Sequence, residues 1–413
     1  MKSNRVNEDL VTIAAFGALS SGGVTRLALT KEDLNVRQYL IEKMKETNLS
    51  ITMDAVGNTF GRREGLKNLS PVLIGSHLDT VVEGGNYDGI VGVIAALEVM
   101  RRLNEESIET IRPIEMINFT AEESSRFLTA TLGSKCMRGS LTIEQLKSMK
   151  DSSSISFYEA LKQAGFQPEQ LETVKKKKGD YHAFMELHIE QGPVLEVENK
   201  SIGIVTAIAA PTRLKVHVKG VADHSGTTPM HLRNDALVGA SELIVALETI
   251  ASSKAGDHTV ATVGNVLVQP GVMNVIPGEV TLLVDIRDIH MEDKNKAVGL
   301  FLKEIDQVAQ KRNLQITHEL LVNDTPVHLS SKIIHCLKEN AQKLNEPYQV
   351  MHSGAGHDAM NLVPITDVGM IFVPSKDGIS HNKLEHTDLE HILKGIDLLY
   401  ETVIQLAMEE EEK

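Results

Sequence analysis

The chain has 413 residues, 42% of them hydrophobic, and a formal net charge of -14 at pH 7. That length exceeds the roughly 250 to 300 residues at which a single core stops growing, so more than one domain is expected. The acidic balance disfavours nucleic acid and anionic membrane surfaces as partners.

Cys136 and Cys336 are the only cysteines and show no CxxC spacing, which fits a reducing compartment and points to the cytoplasm. The run Leu10 to Leu19 is apolar, but Glu8 and Asp9 precede it and offset Lys2 and Arg5. An amphipathic first helix is therefore expected, not a signal peptide. Residues 33 to 47 predict a helix, and Val72 to Ser76 a buried strand. Gly89 to Leu103 predicts a further helix, with Ile90, Val93, Ile94, Leu97 and Met100 on an apolar face and Glu98, Arg101 and Arg102 off it.

Between that strand and that helix lie Gly75-Ser76-His77-Leu78-Asp79-Thr80 and Gly84-Gly85-Asn86-Tyr87-Asp88-Gly89. Imidazole and carboxylate at the carboxyl end of a strand suit Zn²⁺, Mn²⁺ or Co²⁺, and open α/β sheets bind ligands at that edge. The plainer reading is a loop with one exposed histidine. A second strand-like run, Ile114 to Phe119, leads into Glu122-Glu123, adjacent carboxylates that repel unless cations or solvent absorb their charge. The stretch from about Asp151 to Asp180 reads as a polar connection with a short helix, and Lys175 to Lys178 as a solvated face. Then come Glu186-Leu187-His188-Ile189-Glu190-Gln191-Gly192-Pro193 and, near the C-terminus, Gly378-Ile379-Ser380-His381-Asn382. Singly, each histidine is more often structural; together these segments favour a metal centre.

From about Thr212 the pattern changes. Leu214, Val216 and Val218 alternate with Lys215, His217 and Lys219, followed by a helix near Asn234 to Ser252 and strands near Val260 to Val268 and Val280 to Ile286. A helix near Lys294 to Arg312 and a strand near Leu314 to Leu321 complete a β-α-β-β-α-β order, the ferredoxin-like split motif, ending near Leu329. No segment approaches the roughly 20 apolar residues of a membrane span.

These motifs, with Ser125-Arg126-Phe127 and Ser353-Gly354-Ala355-Gly356-His357-Asp358, resemble the M20 metallopeptidase and amidohydrolase group over nearly the whole chain. Within it they resemble the branch of N-carbamoyl-L-amino-acid hydrolases, β-ureidopropionases and allantoate amidohydrolases. The histidine at 188, where general M20 peptidases usually carry an acidic ligand, points to that branch.

The resemblance implies an α/β catalytic domain, a mixed sheet flanked by helices, formed by residues 1–211 and 329–413. An inserted ferredoxin-like lid and dimerisation domain would span residues 212–328, in a homodimer. It implies two divalent ions (Zn, Mn or Co), one held by His77, Asp88 and His188 and the other by Asp88, Glu123 and His381, with Asp88 bridging. Glu122 matches the general base, Asp79 the carboxylate that orients His77, and His224 the oxyanion-stabilising histidine, often presented across the dimer interface. Asn274 and Arg287 match binders of the substrate carboxylate; from position alone Arg287 reads as a surface ion-pair residue. Gln191 and His357 match further substrate contacts, and Arg126 and Asp358 structural positions. Ser124 departs from the glycine common before the Ser-Arg-Phe run, which would alter the pocket floor.

The expected substrate is a small ureido compound carrying a carboxylate: an N-carbamoyl-L-amino acid, released as amino acid, ammonia and carbon dioxide. Allantoate is the nearest alternative. An M20 aminoacylase or dipeptidase is disfavoured by His188 and Gln191, and a non-catalytic metal-binding protein by the intact Glu122.

Overall fold

The computed structural model describes residues 2–410. In chain order the strands are β1 (Ser50–Met53), β2 (Thr59–Arg63), β3 (Val72–His77), β4 (Ile114–Phe119), β5 (Ala183–Ile189), β6 (Ile202–Ile208), β7 (Ala210–Lys219) and β8 (Asp223–His224). They continue as β9 (Val260–Gln269), β10 (Val275–Ile276), β11 (Glu279–Asp288), β12 (Gln315–Asn323), β13 (Val327–His328), β14 (Tyr348–Ser353) and β15 (Asp367–Val373). The longer helices are α1 (Lys2–Ala14), α2 (Lys31–Glu46), α3 (Ile90–Glu105), α4 (Ala236–Ser253), α5 (Met291–Arg312), α6 (Ser331–Lys343) and α7 (Leu389–Ala407). The chain divides into two compact units, one of Met1–Thr206, Leu329–Ser353 and His357–Lys413, the other of Ala207–His328 with Gly354–Gly356.

The first unit is a mixed sheet with strand order β1-β2-β4-β3-β5-β15-β6, and β14 pairs with β6. Its centre is parallel, β4 and β5 flanking β3 and β15 beside β5, while β2 and β6 run antiparallel to their neighbours. Burial explains the composition of these strands. All six residues of β3 and all seven of β5 are buried, as a parallel sheet covered on both faces requires.

Helix α3 packs on β3 and α7 and is enclosed on nearly every side. Here the expectation that Glu98 and Arg102 stay off the buried face fails, because both are buried and paired. Both Glu98 oxygens accept from Arg5 at 2.7 Å. Arg102 donates to Asp397 at 2.6 Å and lies 3.8 Å over the Tyr400 ring. The apolar run Leu10 to Leu19 likewise splits, since α1 ends at Ala14 and turns follow.

In the second unit β12-β7-β11-β9 form an antiparallel sheet, with α4 and α5 joining β7 to β9 and β11 to β12. This is the ferredoxin-like connection read from the sequence. One face of the sheet, Leu214, Val216, Val218, Val280, Leu282, Val284 and Ile286, packs against Leu243, Leu247, Phe301 and Ile305 of the helices. One sequence expectation needs amending: α4 is long and apolar enough, by length and composition, to cross a membrane. Its seat on this sheet accounts for the apolar side, where Ala236, Gly239, Ala240, Leu243, Leu247 and Ile250 are buried.

Phe301 is fully buried in that core. Phe301→Ala is expected to cost about 3–5 kcal/mol, read as a lower urea midpoint with little change in slope.

Candidate metal centre

Strands β3, β4, β5 and β15 run parallel and deliver their carboxyl ends to one edge of the sheet. His77 ends β3, His188 is the penultimate residue of β5, and Glu122 and Glu123 follow β4. His381 comes in the loop after β15, and Asp88 lies in the loop just before α3. The structure thus gathers His77, Asp88 and His188 into one cluster of possible ligand atoms and Asp88, Glu123 and His381 into another.

Asp88 divides its oxygens between the two. Oδ1 lies 3.0 Å from His188 Nε2, and Oδ2 lies 2.9 Å from His381 Nε2. Glu123 Oε1 is 3.4 Å from the same His381 nitrogen. The two buried histidines are oriented from behind: His77 Nδ1 donates to the carbonyl of Asp79 at 3.0 Å and His188 Nδ1 to that of Ile189 at 2.9 Å. Donation from Nδ1 leaves each Nε2 to present a lone pair inward once the ring is neutral, the form a metal ligand requires.

Asp79 acts differently from expectation. Its backbone carbonyl, not its carboxylate, orients His77; the carboxylate oxygen is 3.8 Å from Nδ1. The carboxylate instead accepts the backbone N–H of Glu122 at 3.2 Å and of Glu123 at 3.0 Å. Asp79 thus ties the end of β3 to the turn carrying the paired glutamates. That turn is also clasped from below, where Thr131, Leu132 and Gly133 donate to the carbonyls of Glu122, Ala121 and Thr120.

The electrostatics have one cause: more buried negative charge than the pocket solvates. Burial, then Glu123, Asp358, Asp79 and Asp88, holds the Glu122 carboxyl well above the usual range. Burial and Asp88 push Glu123 up to about 8, and burial and Asp33 push Asp79 to about 7. Burial alone would lower His188, yet the hydrogen bond and charge of Asp88 raise it to about 9. Divalent cations fit this donor set, since neutral imidazoles and carboxylates are their ligands and their charge offsets the surplus.

Backbone geometry is specialised here. Ala121, Gln191 and His381 all have positive φ, at 54°, 59° and 53°. Gly89 has φ 71°, and a Cβ added there would meet the His77 ring at 2.4 Å.

Two buried acids escaped the sequence reading. Glu385 accepts from the backbone of Tyr87 at 2.9 Å and of Asp88 at 3.1 Å, and from Ser380 Oγ at 2.9 Å. It therefore holds the loop on which Asp88 stands. Glu186 accepts from Ser76 Oγ at 2.7 Å and groups with His188 and His357; its place two residues before His188 on a strand was the available signal.

Gln191 Nε2 donates to Asp88 Oδ2 at 3.0 Å. His357, expected as a substrate contact, is 2% exposed, with its ring edge-on to His188 at 4.6 Å and its Nε2 2.9 Å from Ser353 Oγ. Its ring thereby backs His188. Arg126 bonds Asp151 and the Ala28 carbonyl, and Asp358 accepts from Ser134. Ser124 is exposed, so its side chain is not packed into a floor.

In the second unit, His224 and Val275 are paired in the β8–β10 ribbon, and Ser225 donates to the Asn274 carbonyl. His224 Nδ1 accepts the backbone N–H of Gly226 at 3.0 Å and of Thr227 at 3.3 Å, which leaves Nε2 as a protonated donor. Arg287 forks onto Asp285 at 2.8 and 3.2 Å and donates to the Gly354 carbonyl at 2.8 Å.

The sequence matches Peptidase family M20/M25/M40 over residues 73–405. It is 46% identical to an uncharacterized hydrolase of Haemophilus influenzae, with 98% of each chain aligned. It is 39% identical to an N-carbamoyl-L-amino-acid amidohydrolase of a Pseudomonas species, over 98% of each, and 34% identical to the allantoate amidohydrolase of Escherichia coli, over 97% of each. The structure is similar to that of a hydantoinase/carbamoylase family amidase from Burkholderia multivorans, with TM-score 0.93, 36% identity and 98% of both chains covered.

Gly89→Ala would strain a positive-φ turn and drive a methyl group into His77. Metal affinity is expected to fall by about tenfold or more, the scale for residues that set ligand orientation, measured by equilibrium dialysis and metal analysis with circular dichroism unchanged.

Proposed function

The chain belongs to the M20/M25/M40 peptidase family and is a hydrolase of amide or ureido C–N bonds; within that class, we propose that it is a two-metal amidohydrolase that cleaves N-carbamoyl-L-amino acids. The observation carrying this reading is Asp88, whose two oxygens face His188 and His381, beside a glutamate outside both ligand clusters. His77, Asp88 and His188 would hold one cation, and Asp88, Glu123 and His381 the other. Bound divalent ions supply Lewis acidity, which makes water nucleophilic near neutral pH and polarises a carbonyl.

The chain's own residues carry the remainder. Glu122, 3.8 Å from His77 Nε2, takes the proton from the attacking water as the new C–O bond forms at the ureido carbon. Its burial and acidic neighbours raise its proton affinity, which suits a group that must hold this proton and then release it. It delivers the proton to the departing nitrogen as the C–N bond breaks; the carbamate so formed gives ammonia and carbon dioxide. Asp79 fixes Glu122 through the backbone, and Gln191 steadies Asp88. On the second unit we assign His224 Nε2–H to the developing oxyanion, and Asn274 and Arg287 to the substrate carboxylate. The homodimer that the resemblance implies is checked by light scattering.

Allantoate is the second reading, favoured by the similarity to the Escherichia coli enzyme. A panel of carbamoyl-L-amino acids, allantoate and acyl-amino acids, assayed for ammonia and free amine, separates the two. Release of amine from acyl-amino acids alone would overturn the ureido assignment.

Chelation is expected to abolish turnover, and Mn²⁺, Co²⁺ or Zn²⁺ to restore it. Glu122→Gln should lower kcat by about 10²-fold or more while metal content stays at the wild-type level; loss of metal with activity retained would exchange the roles of Glu122 and Glu123. His224→Ala should lower kcat by about 10²- to 10³-fold, the cost of one oxyanion donor, in steady-state assays at saturating substrate.

A further inference from the structure

Three exposed histidines of the second unit, from three separate elements, come together outside the residues considered so far. His258 stands in the turn before β9, His290 immediately precedes α5, and His328 ends β13. The rings of His258 and His290 are 6.0 Å apart between centroids, and those of His290 and His328 are 5.3 Å apart. Two imidazoles bound tetrahedrally to one ion at 2.0–2.1 Å have centroids roughly 5 Å apart. His77 and His188, which share a ligand cluster, stand 5.9 Å apart at 34°; His290 and His328 stand at 33°.

The backbone beneath the trio is fixed. Asp288 is fully buried and accepts Thr259 Oγ1 at 2.5 Å and the His290 N–H at 2.8 Å. One carboxylate thereby clamps the turn bearing His258 to the start of α5. That turn also packs tightly on the first turn of α5, since a Cβ added at Gly256 would lie 2.5 Å from the Asp293 carboxylate. His328 is placed by β-pairing with Ala207, and Lys294 of α5 donates to the carbonyl of Asp324 just ahead of β13. The rings themselves are solvent-exposed, and side-chain rotation would be needed to bring their nitrogens onto one ion.

We propose that His258, His290 and His328 form a surface site for a transition-metal ion, Zn²⁺, Ni²⁺ or Cu²⁺, distinct from the ligands around Asp88. Imidazole is the ligand these ions share, and the three histidines leave a coordination position open to water. Bound there, the ion would tie the turn before β9, the N-terminus of α5 and the last strand of the unit into one body.

The test compares untagged wild-type chain with His290→Ala/His328→Ala, metal-stripped and dialysed against micromolar Zn²⁺. Wild type should bind one more Zn²⁺ per chain than the double variant, show a Zn²⁺-dependent rise in Tm that the variant lacks, and be retained on a Ni²⁺ resin from which the variant elutes early. Hydrolytic activity should be the same in both. His290→Gln, which keeps size and polarity, should reproduce the loss and separates ligation from folding. Equal stoichiometry in wild type and variants, or an extra ion seen only at millimolar Zn²⁺, overturns the proposal.

Discussion

Everything at the sheet edge answers to one constraint: four carboxylates, Asp79, Asp88, Glu122 and Glu123, are buried in the loops that follow β3 and β4. Buried charge of one sign is expensive unless it is paired or neutralised. The protein meets part of this cost with backbone N–H groups given to Asp79 and with histidines given to Asp88. The remainder is the surplus that divalent cations offset, and it raises the proton affinity of Glu122 as well as drawing metal. Affinity for cations and the raised proton affinity of Glu122 thus share one origin.

The supporting residues follow the same logic at one remove. Asp79 couples His77 to the paired glutamates, Glu385 couples the loop of Asp88 to that of His381, and His357 and Glu186 back His188. Each acts through a backbone amide or behind an imidazole, so the candidate ligands are placed by a frame that spans β3, β4, β5 and the loop after β15. A defect in any of these supports should be felt at more than one ligand.

Much of this was legible in the sequence, for physical reasons. Histidines and carboxylates that follow apolar runs fall at strand ends, so His77, Asp88, Glu122, Glu123, His188 and His381 could be nominated together, and the structure brings them together. The alternation of Leu214, Val216 and Val218 with charged residues reported a half-buried strand, as found in β7. What stayed hidden depends on distant partners. Glu385 works on backbone groups nearly 300 residues away in the chain, and no local pattern announces that. Glu98 and Arg102 were placed outside because helical periodicity shows the most apolar stripe but not whether a helix is covered on its remaining sides. Asp79 was assigned the right neighbourhood and the wrong atom, since motif spacing cannot tell a carbonyl from a carboxylate.

The left-handed backbone at Ala121, Gln191 and His381 has a consequence for how this protein can change. Side chains with a Cβ sit there at a cost of the order of 1 kcal/mol each, and glycine would relieve it. Selection for thermostability alone would therefore drift toward those replacements, and each would unfasten a residue on or beside the reactive edge. Relief of backbone strain and retention of these side chains are set against each other at three identifiable positions, so a more heat-resistant descendant that keeps them should gain its stability elsewhere, in α4, α5 or the outer strands.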